Sequence, residues 1–265
     1  MQKVNFSAYI FSFYMQKRSS NIFPYFNIYY FQEGELMIKV LINGICGKMG
    51  TEVAKLVLKE NNMELINSLV DFPHVVIDFS SPEATISILP YCISHSIAMV
   101  IATTGFTNEQ QNIITDASKQ IPIFQSSNMS YEITLVSQII SMLSQKLPEA
   151  DIEIVETHHN QKKDSPSGTA LLLADSINTN GTYTYELNRS QKREKRKPKE
   201  IGFSSIRGGN IVGEHSVFFF SPNETLEIKH TAHSRTVFAE GAIKAAKFLV
   251  NQKAGYYTMK DLISN

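Results

Sequence analysis

Met37-Ile38-Lys39-Val40-Leu41-Ile42-Asn43-Gly44-Ile45-Cys46-Gly47-Lys48-Met49-Gly50 is the stretch on which the fold turns. Ile38–Ile42 is a short apolar run of the kind buried in parallel sheets. Three glycines follow at G-x-x-G-x-x-G spacing. Residues 51–60 then place Val53, Ala54, Leu56, Val57 and Leu58 at apolar positions and predict a helix. Strand, glycine turn and helix in that order form the context of a dinucleotide site. Gly44 permits a tight turn, Gly47 lets the backbone approach a pyrophosphate, and Gly50 lets helix and strand pack closely. The helix N-terminus offers free N–H groups to phosphate. Cys46 stands where a glycine is common, so the motif by itself also fits a plain strand-to-helix connection.

Outward from this stretch the α/β alternation continues through Val75–Phe79, Ala98–Ala102 and Ile121–Phe124. Each run ends in small polar residues: Ser80-Ser81, Thr103-Thr104-Gly105 and Ser126-Ser127-Asn128. Ligands of open α/β sheets sit at such strand ends. Residues 64–70 read as a second strand, and Asp71 at its end suits the acidic residue that binds adenosine ribose hydroxyls. Only residues 71–74 then separate it from the next strand. Four residues reach at most about 14 Å, whereas a parallel crossover usually takes about a dozen residues or more. The expectation is a reduced sheet edge and a weakened adenosine pocket.

The densest chemistry lies at Glu156-Thr-His158-His159-Asn-Gln-Lys162-Lys-Asp164-Ser-Pro-Ser167-Gly168-Thr169-Ala170. It follows an alternating strand, 151–155, and precedes a helical run, 170–177. Ser167 reads as the N-cap, so the amides of Gly168 and Thr169 point out of a helix N-terminus and form an anion cradle. Lys162 adds positive charge, and the histidines add groups that titrate near neutrality. A substrate carboxylate beside a protonatable atom fits this cluster. A metal site from His158, His159 and Glu156 is the rival reading. Adjacent histidines on an extended chain face opposite ways, so one ion seldom takes both.

The same segment resembles the signature E-x-H-H-x-x-K-x-D-x-P-S-G-T-A of the dihydrodipicolinate reductase (4-hydroxy-tetrahydrodipicolinate reductase) family. Gly47–Gly50, Ile77–Ser80, Ala102–Gly105, Asn128–Ser130, Ser205–His215 and Ile228–Arg235 agree with it, as do Gly241-Ala242 and Gly255–Tyr257. The likeness covers residue 37 to about 263. It implies a Rossmann-like dinucleotide-binding domain (37–129 plus 241–265) and a second α+β mixed-sheet domain for substrate and oligomerisation (130–240). It implies reduction of a cyclic unsaturated dicarboxylate by NADH or NADPH, in lysine and diaminopimelate synthesis, by a cytoplasmic homotetramer. His158 matches the general acid/base and Lys162 a second proton donor. His159, Gly168 and Thr169 match substrate contacts. Gly44, Ile45, Cys46, Gly47, Lys48 and Met49, then Ala102, Thr103 and Thr104, then Ser126, Ser127, Asn128 and Met129 match cofactor-binding runs, with Asp71 as the ribose residue. No metal is implied. Two departures stand out. The segment after Asp71 is short, and Tyr131-Glu132 replaces the usual glycine near the domain joint, where a positive φ would strain glutamate.

Composition bounds the rest. Among 265 residues, 25 Lys plus Arg balance 25 Asp plus Glu, which leaves no net field to draw nucleic acid or a membrane surface. Two cysteines are too few for a disulfide framework and argue for a reducing compartment. No apolar run approaches the roughly 18 residues of a membrane span. Arg189–Lys199 is strongly basic and reads as a solvated loop. Residues 211–220 and 226–230 read as antiparallel strands, and 241–250 as a helix. Residues 1–36 hold 11 of the 27 aromatics in no regular period; Met37 is the expected start, with a packed aromatic extension as the alternative. Three function classes follow: an active reductase, a decayed non-catalytic homologue with weakened cofactor binding, and a metal-dependent hydrolase.

Overall fold

The computed structural model describes residues 37–264, and the expectation for residues 1–36 lies outside them. Strand β1 (Ile38–Asn43) enters the glycine turn, and helix α1 (Lys48–Val57) leaves it. Gly44 has φ +86°, and a Cβ there would overlap the carbonyl of Phe79. A Cβ on Gly50 would overlap the carbonyl of Gly44. The turn therefore requires glycine at both places, one for its backbone conformation and one for close packing.

Six parallel strands follow the order β11-β5-β4-β3-β1-β2, with β2 Met63–Ile66, β3 Val75–Asp78, β4 Ala98–Ile101, β5 Pro122–Gln125 and β11 Gly255–Tyr257. Successive residues point to opposite faces. Val75, Ile77, Ala98 and Val100 join a core with α1 and α6 (Thr236–Leu249). Val76, Met99 and Ile101 join another with α2 (Pro82–Ser94) and α3 (Asn108–Ser118). Both faces are covered, as a doubly wound sheet requires.

The short connection is resolved by register. The chain leaves β2 at Ile66, not at Val70, because the Ser68 hydroxyl accepts from the Val70 amide and starts a 3-10 turn over Leu69–Asp71. Strand β2 ends level with Leu41 of β1, and β3 begins level with Val40 on the other side. The linker, residues 67–74, thus drops by only one residue while crossing two strand spacings of about 4.8 Å each. Its eight residues reach about 26 Å when extended. His74 completes the join. Its amide donates to the Lys39 carbonyl, and its Nδ1 accepts from the Lys39 amide at 2.9 Å. Strand β2 has four residues, as do β3, β4 and β5, so it is no shorter than its neighbours in the sheet interior.

The second sheet is mixed, in the order β10-β9-β6-β8-β7, with β6 Asp151–His158, β7 Thr184–Glu186, β8 Glu200–Arg207, β9 Gly213–Phe220 and β10 Thr225–Ala232. Helices α4 (Tyr131–Lys146) and α5 (Gly168–Ile177) cover one face over Ile152, Ile154, Ile201, Val217 and Phe219. Ile206, Phe220 and Leu226 remain exposed in this lobe. Tyr131 and Glu132 begin α4 behind an N-cap at Ser130. Their φ angles are negative, so no glycine is needed and the expected hinge strain is absent. Helix α6 starts at Thr236, ahead of the expected Gly241.

The basic run is not simply solvated. Arg196 meets Asp151 and Glu153, Arg189 meets Glu200, and Lys192 meets Glu186. Glu186 and Glu200 are buried carboxylates at the edge of the second sheet. They need these cations, since a buried unpaired charge is costly.

Candidate active site

Alternation along β6 sets the site. Glu156 and His158 stand two residues apart and share the buried face. Glu156 is 1% exposed and His158 7%. The Glu156 carboxylate lies 2.5 Å from His158 Nδ1. Arg207, brought alongside by β8, donates to both carboxylate oxygens at 2.8 and 2.6 Å. The Ser167 amide donates to the same group at 3.2 Å. Burial disfavours the Glu156 anion, but hydrogen bonds from Arg207, Ser205 and His158 outweigh it and hold the carboxyl below its ordinary range.

Burial also pushes His158 below the ordinary imidazole value, against the pull of Glu156. The free imidazole therefore favours its neutral form at pH 7. With Glu156 ionised, Nδ1–H is the donor in their bond, which leaves Nε2 to exchange protons. Nε2 sits against bare Gly213, where a Cβ would lie 3.0 Å away.

His215, from β9, packs edge-on against His158 with ring centroids 5.1 Å apart. It is pushed down to about 3, chiefly by burial and then by His158. Its Nε2 lies 3.0 Å from Ser167 Oγ. Ser167 caps α5 by accepting from the Ala170 amide at 3.2 Å. The first amides of α5, at Gly168 and Thr169, take no bond from this cap, and the Gly168 amide approaches the Asp164 carboxylate. Gly168 is exposed, and no atom lies near the position of a Cβ there. Thr169 Oγ1 accepts from Asn128 Nδ2 at 2.9 Å, a direct bond between the cofactor-run and substrate-cradle residues. Lys162 pairs with Asp164 at 2.9 Å.

His159 diverges from His158, as adjacent residues on an extended chain should. It lines an open cleft of about 630 Å3 together with Lys48, Met49, Asn160 and Arg235. Glycine turn and histidine stretch thus border one space. His158, Lys162, Gly168 and Thr169 are not among its lining residues. The metal reading with both neighbouring histidines loses its geometry. Glu156, His158 and His215 do cluster closely enough to share an ion, but Arg207 already occupies both Glu156 oxygens.

The nucleotide residues are distributed less evenly. Ile45, Cys46, Gly47 and Lys48 are exposed at the start of α1, with no side-chain cap on its first amides. That is a cradle for phosphate. Ala102 and Thr104 follow β4, and Ser126 and Ser127 follow β5, all at the same sheet end. Thr103 is buried and spends its hydroxyl within the protein. Met129 is 2% exposed and packs into the first core. Asp71 is exposed in the 3-10 turn, five positions past the strand end, because β2 stops early. Asn67 and Ser68 hold the positions directly after the strand. Arg207 and His215 received no role from the sequence. Only the register of β6 with β8 and β9 brings them to Glu156 and His158.

The family pattern described as Dihydrodipicolinate reductase, C-terminus, matches residues 132–263, and that of the N-terminus matches 38–74 and 65–129. The chain belongs to the dihydrodipicolinate reductase family. Residues 65–74 are matched twice, as a chain trimmed at this connection would be. The 4-hydroxy-tetrahydrodipicolinate reductase of Caldanaerobacter subterraneus subsp. tengcongensis is 46% identical over 250 positions, covering 86% of this chain and 99% of the relative. That of Clostridium tetani is 41% identical over 254 positions, covering 87% and 98%. In the first comparison 250 positions use 86% of this family member, so the relative carries residues that it lacks. Among solved structures, a dipicolinate-bound dihydrodipicolinate reductase from Paenisporosarcina sp. TG-14 shares the fold, with TM-score 0.71 and 23% identity, covering 84% of this chain and 98% of that one.

Proposed function

We propose that this chain reduces the cyclic dicarboxylate of its family, 4-hydroxy-tetrahydrodipicolinate or its dehydrated form, with NADH or NADPH, as a step toward lysine and diaminopimelate. The observation that carries this is the cleft bordered by Lys48 and Met49 of α1 and by His159, the residue next in sequence to the Glu156–His158 pair. Residues 37–129 with 241–265 hold the nucleotide in this reading, and 130–240 hold the substrate. The α1 amides and Lys48 fit a pyrophosphate, and the nucleotide supplies the hydride when bound.

The α5 amides at Gly168 and Thr169, with His159 and Lys162, hold the carboxylates. A dianion raises the pKa of a nearby imidazole. His158 therefore takes up its proton on Nε2 as substrate arrives, and Glu156 keeps Nδ1–H in place. That proton then goes to the carbon on which negative charge develops, and His158 returns to its neutral form. Lys162, drawn from Asp164 toward substrate, steadies the developing charge.

Nothing in the site favours a decayed homologue: every matched residue of the E-x-H-H-x-x-K-x-D-x-P-S-G-T-A stretch is present. The exposed Ile206, Phe220 and Leu226 are the surface through which copies of the chain would associate as a tetramer. The deciding experiment follows NADH and NADPH oxidation with enzymatically generated substrate. Turnover with either nucleotide supports the assignment. Nucleotide binding without turnover would instead indicate the decayed homologue.

A further inference from the structure

Asp78 closes β3 at the carboxyl end of the first sheet and has no solvent exposure. None of the chemistry above uses it. Four side chains, from β1, α2 and the loops after β3 and β4, converge on its carboxylate. Asn43 Nδ2, at the end of β1, donates to Oδ1 at 2.9 Å, and Ser80 Oγ donates to Oδ1 at 2.5 Å. Thr103 Oγ1, just past β4, donates to Oδ2 at 3.1 Å, and Thr85 of α2 donates to the same oxygen. Thr103 also accepts the Ser80 amide at 2.9 Å. Asn43 and Asp78 are register partners across the β1–β3 pair. That pair is where the strand order reverses direction, which is where open α/β sheets form their ligand crevice. Asn43 immediately precedes the glycine turn, and Thr103 lies within the run after β4.

A carboxylate fits here because it only accepts, and each of its oxygens receives two donors. Burial raises its pKa, and the four donors oppose that rise. A hub of this kind fixes where three strand ends stand relative to one another, and so fixes the width of the crevice between them.

We propose that Asp78 is a positioning residue for the nicotinamide nucleotide, setting the crevice by pinning Asn43, Ser80 and Thr103 while touching neither nucleotide nor dicarboxylate. This rests on the reading of the glycine-turn crevice as the nucleotide site. The test is steady-state kinetics of the full chain with NADPH and substrate, alongside direct NADPH titration by fluorescence. Asp78→Asn keeps the shape but turns two acceptor positions into donors. The nucleotide KM and Kd are expected to rise at least about tenfold, with kcat and the dicarboxylate KM within about threefold of wild type. Thr85→Val removes one donor from outside the crevice and should raise the nucleotide KM about threefold, which keeps the test open if Asp78→Asn does not fold. Unchanged nucleotide KM in a folded variant overturns the proposal. So does a parallel loss of kcat and both KM values, which marks a purely structural residue. Wild-type protein that neither binds nor oxidises NADPH or NADH would instead overturn the underlying reading of the crevice.

Discussion

His215 gives the protein a measurable acid sensitivity. In the native state its pKa is pushed down to about 3, whereas an unfolded histidine titrates near 6.5. Between those values the unfolded chain binds a proton that the native chain refuses, so stability falls as pH falls. The contribution is fully present above about pH 6.5 and is lost toward pH 3. From pH 7.5 to 4.5 the loss is about 2.7 kcal/mol, two pH units at about 1.4 kcal/mol each. Going no lower than 4.5 keeps the carboxylates largely out of the measurement. His74, His158 and His230 are also lowered by burial and steepen the wild-type curve. His215→Gln removes only one share. It also weakens the contact with Ser167, at about 1 kcal/mol. The variant should be the less stable protein at pH 7.5 and the more stable one below roughly pH 5.5. For a chain of this size the difference in acid loss amounts to about 5–10 °C in Tm. Urea and thermal unfolding at pH 7.5, 6 and 4.5 measure it. Equal acid losses in the two proteins would refute the assignment of His215 as a buried neutral imidazole.

Other outcomes follow from the same geometry. His158→Gln should lower kcat by about 10²–10⁴-fold, the usual contribution of a proton-transfer group, in stopped-flow or steady-state oxidation assays. Because free His158 titrates below 6.5, wild-type kcat/KM should fall tenfold per unit through pH 7–8. The limb in kcat should lie higher, since bound dianion holds the proton; coincident limbs would contradict substrate-linked protonation. Arg207→Gln leaves Glu156 with one cationic partner fewer. It should cost about 3 kcal/mol of stability and move the kcat/KM limb upward, because Arg207 lowers the His158 pKa. With Asp71 carried into the 3-10 turn, five positions past the end of β2, nicotinamide mononucleotide should retain most of the binding free energy of NADH in competition titrations; a dominant adenosine share would show that this rim still forms a full pocket.

What could be read from the sequence was local. The glycine turn, the Ser167 cap and the split between His158 and His159 each depend on residues a few positions apart, and each stands as expected. The second strand ends before Val70 because the Ser68 hydroxyl turns the chain first, although Leu69-Val70 is apolar enough to pass for strand. The glutamate at 132 looked strained only because a glycine is usual there; the helical backbone of α4 asks for none. Arg207 and Glu156 are 51 positions apart, and their meeting depends on the parallel pairing of β6 with β8. The cations of residues 189–199 looked free because two of their partners, Glu186 and Glu200, lie just outside that run on strands β7 and β8, and the third, Glu153, is 43 positions away on β6. Pairing across a sheet is a global outcome, and no short window encodes it.

The offset between β2 and β3 has a consequence for how such proteins vary in length. A linker whose route is almost entirely sideways can lose residues without rewiring any strand, since neither neighbour of β1 must slide. Differences in length can be taken up at this rim without moving a strand. A peptide grafted at residues 67–73 would therefore lengthen a peripheral bridge and leave the hydrogen-bond ladder of the sheet intact.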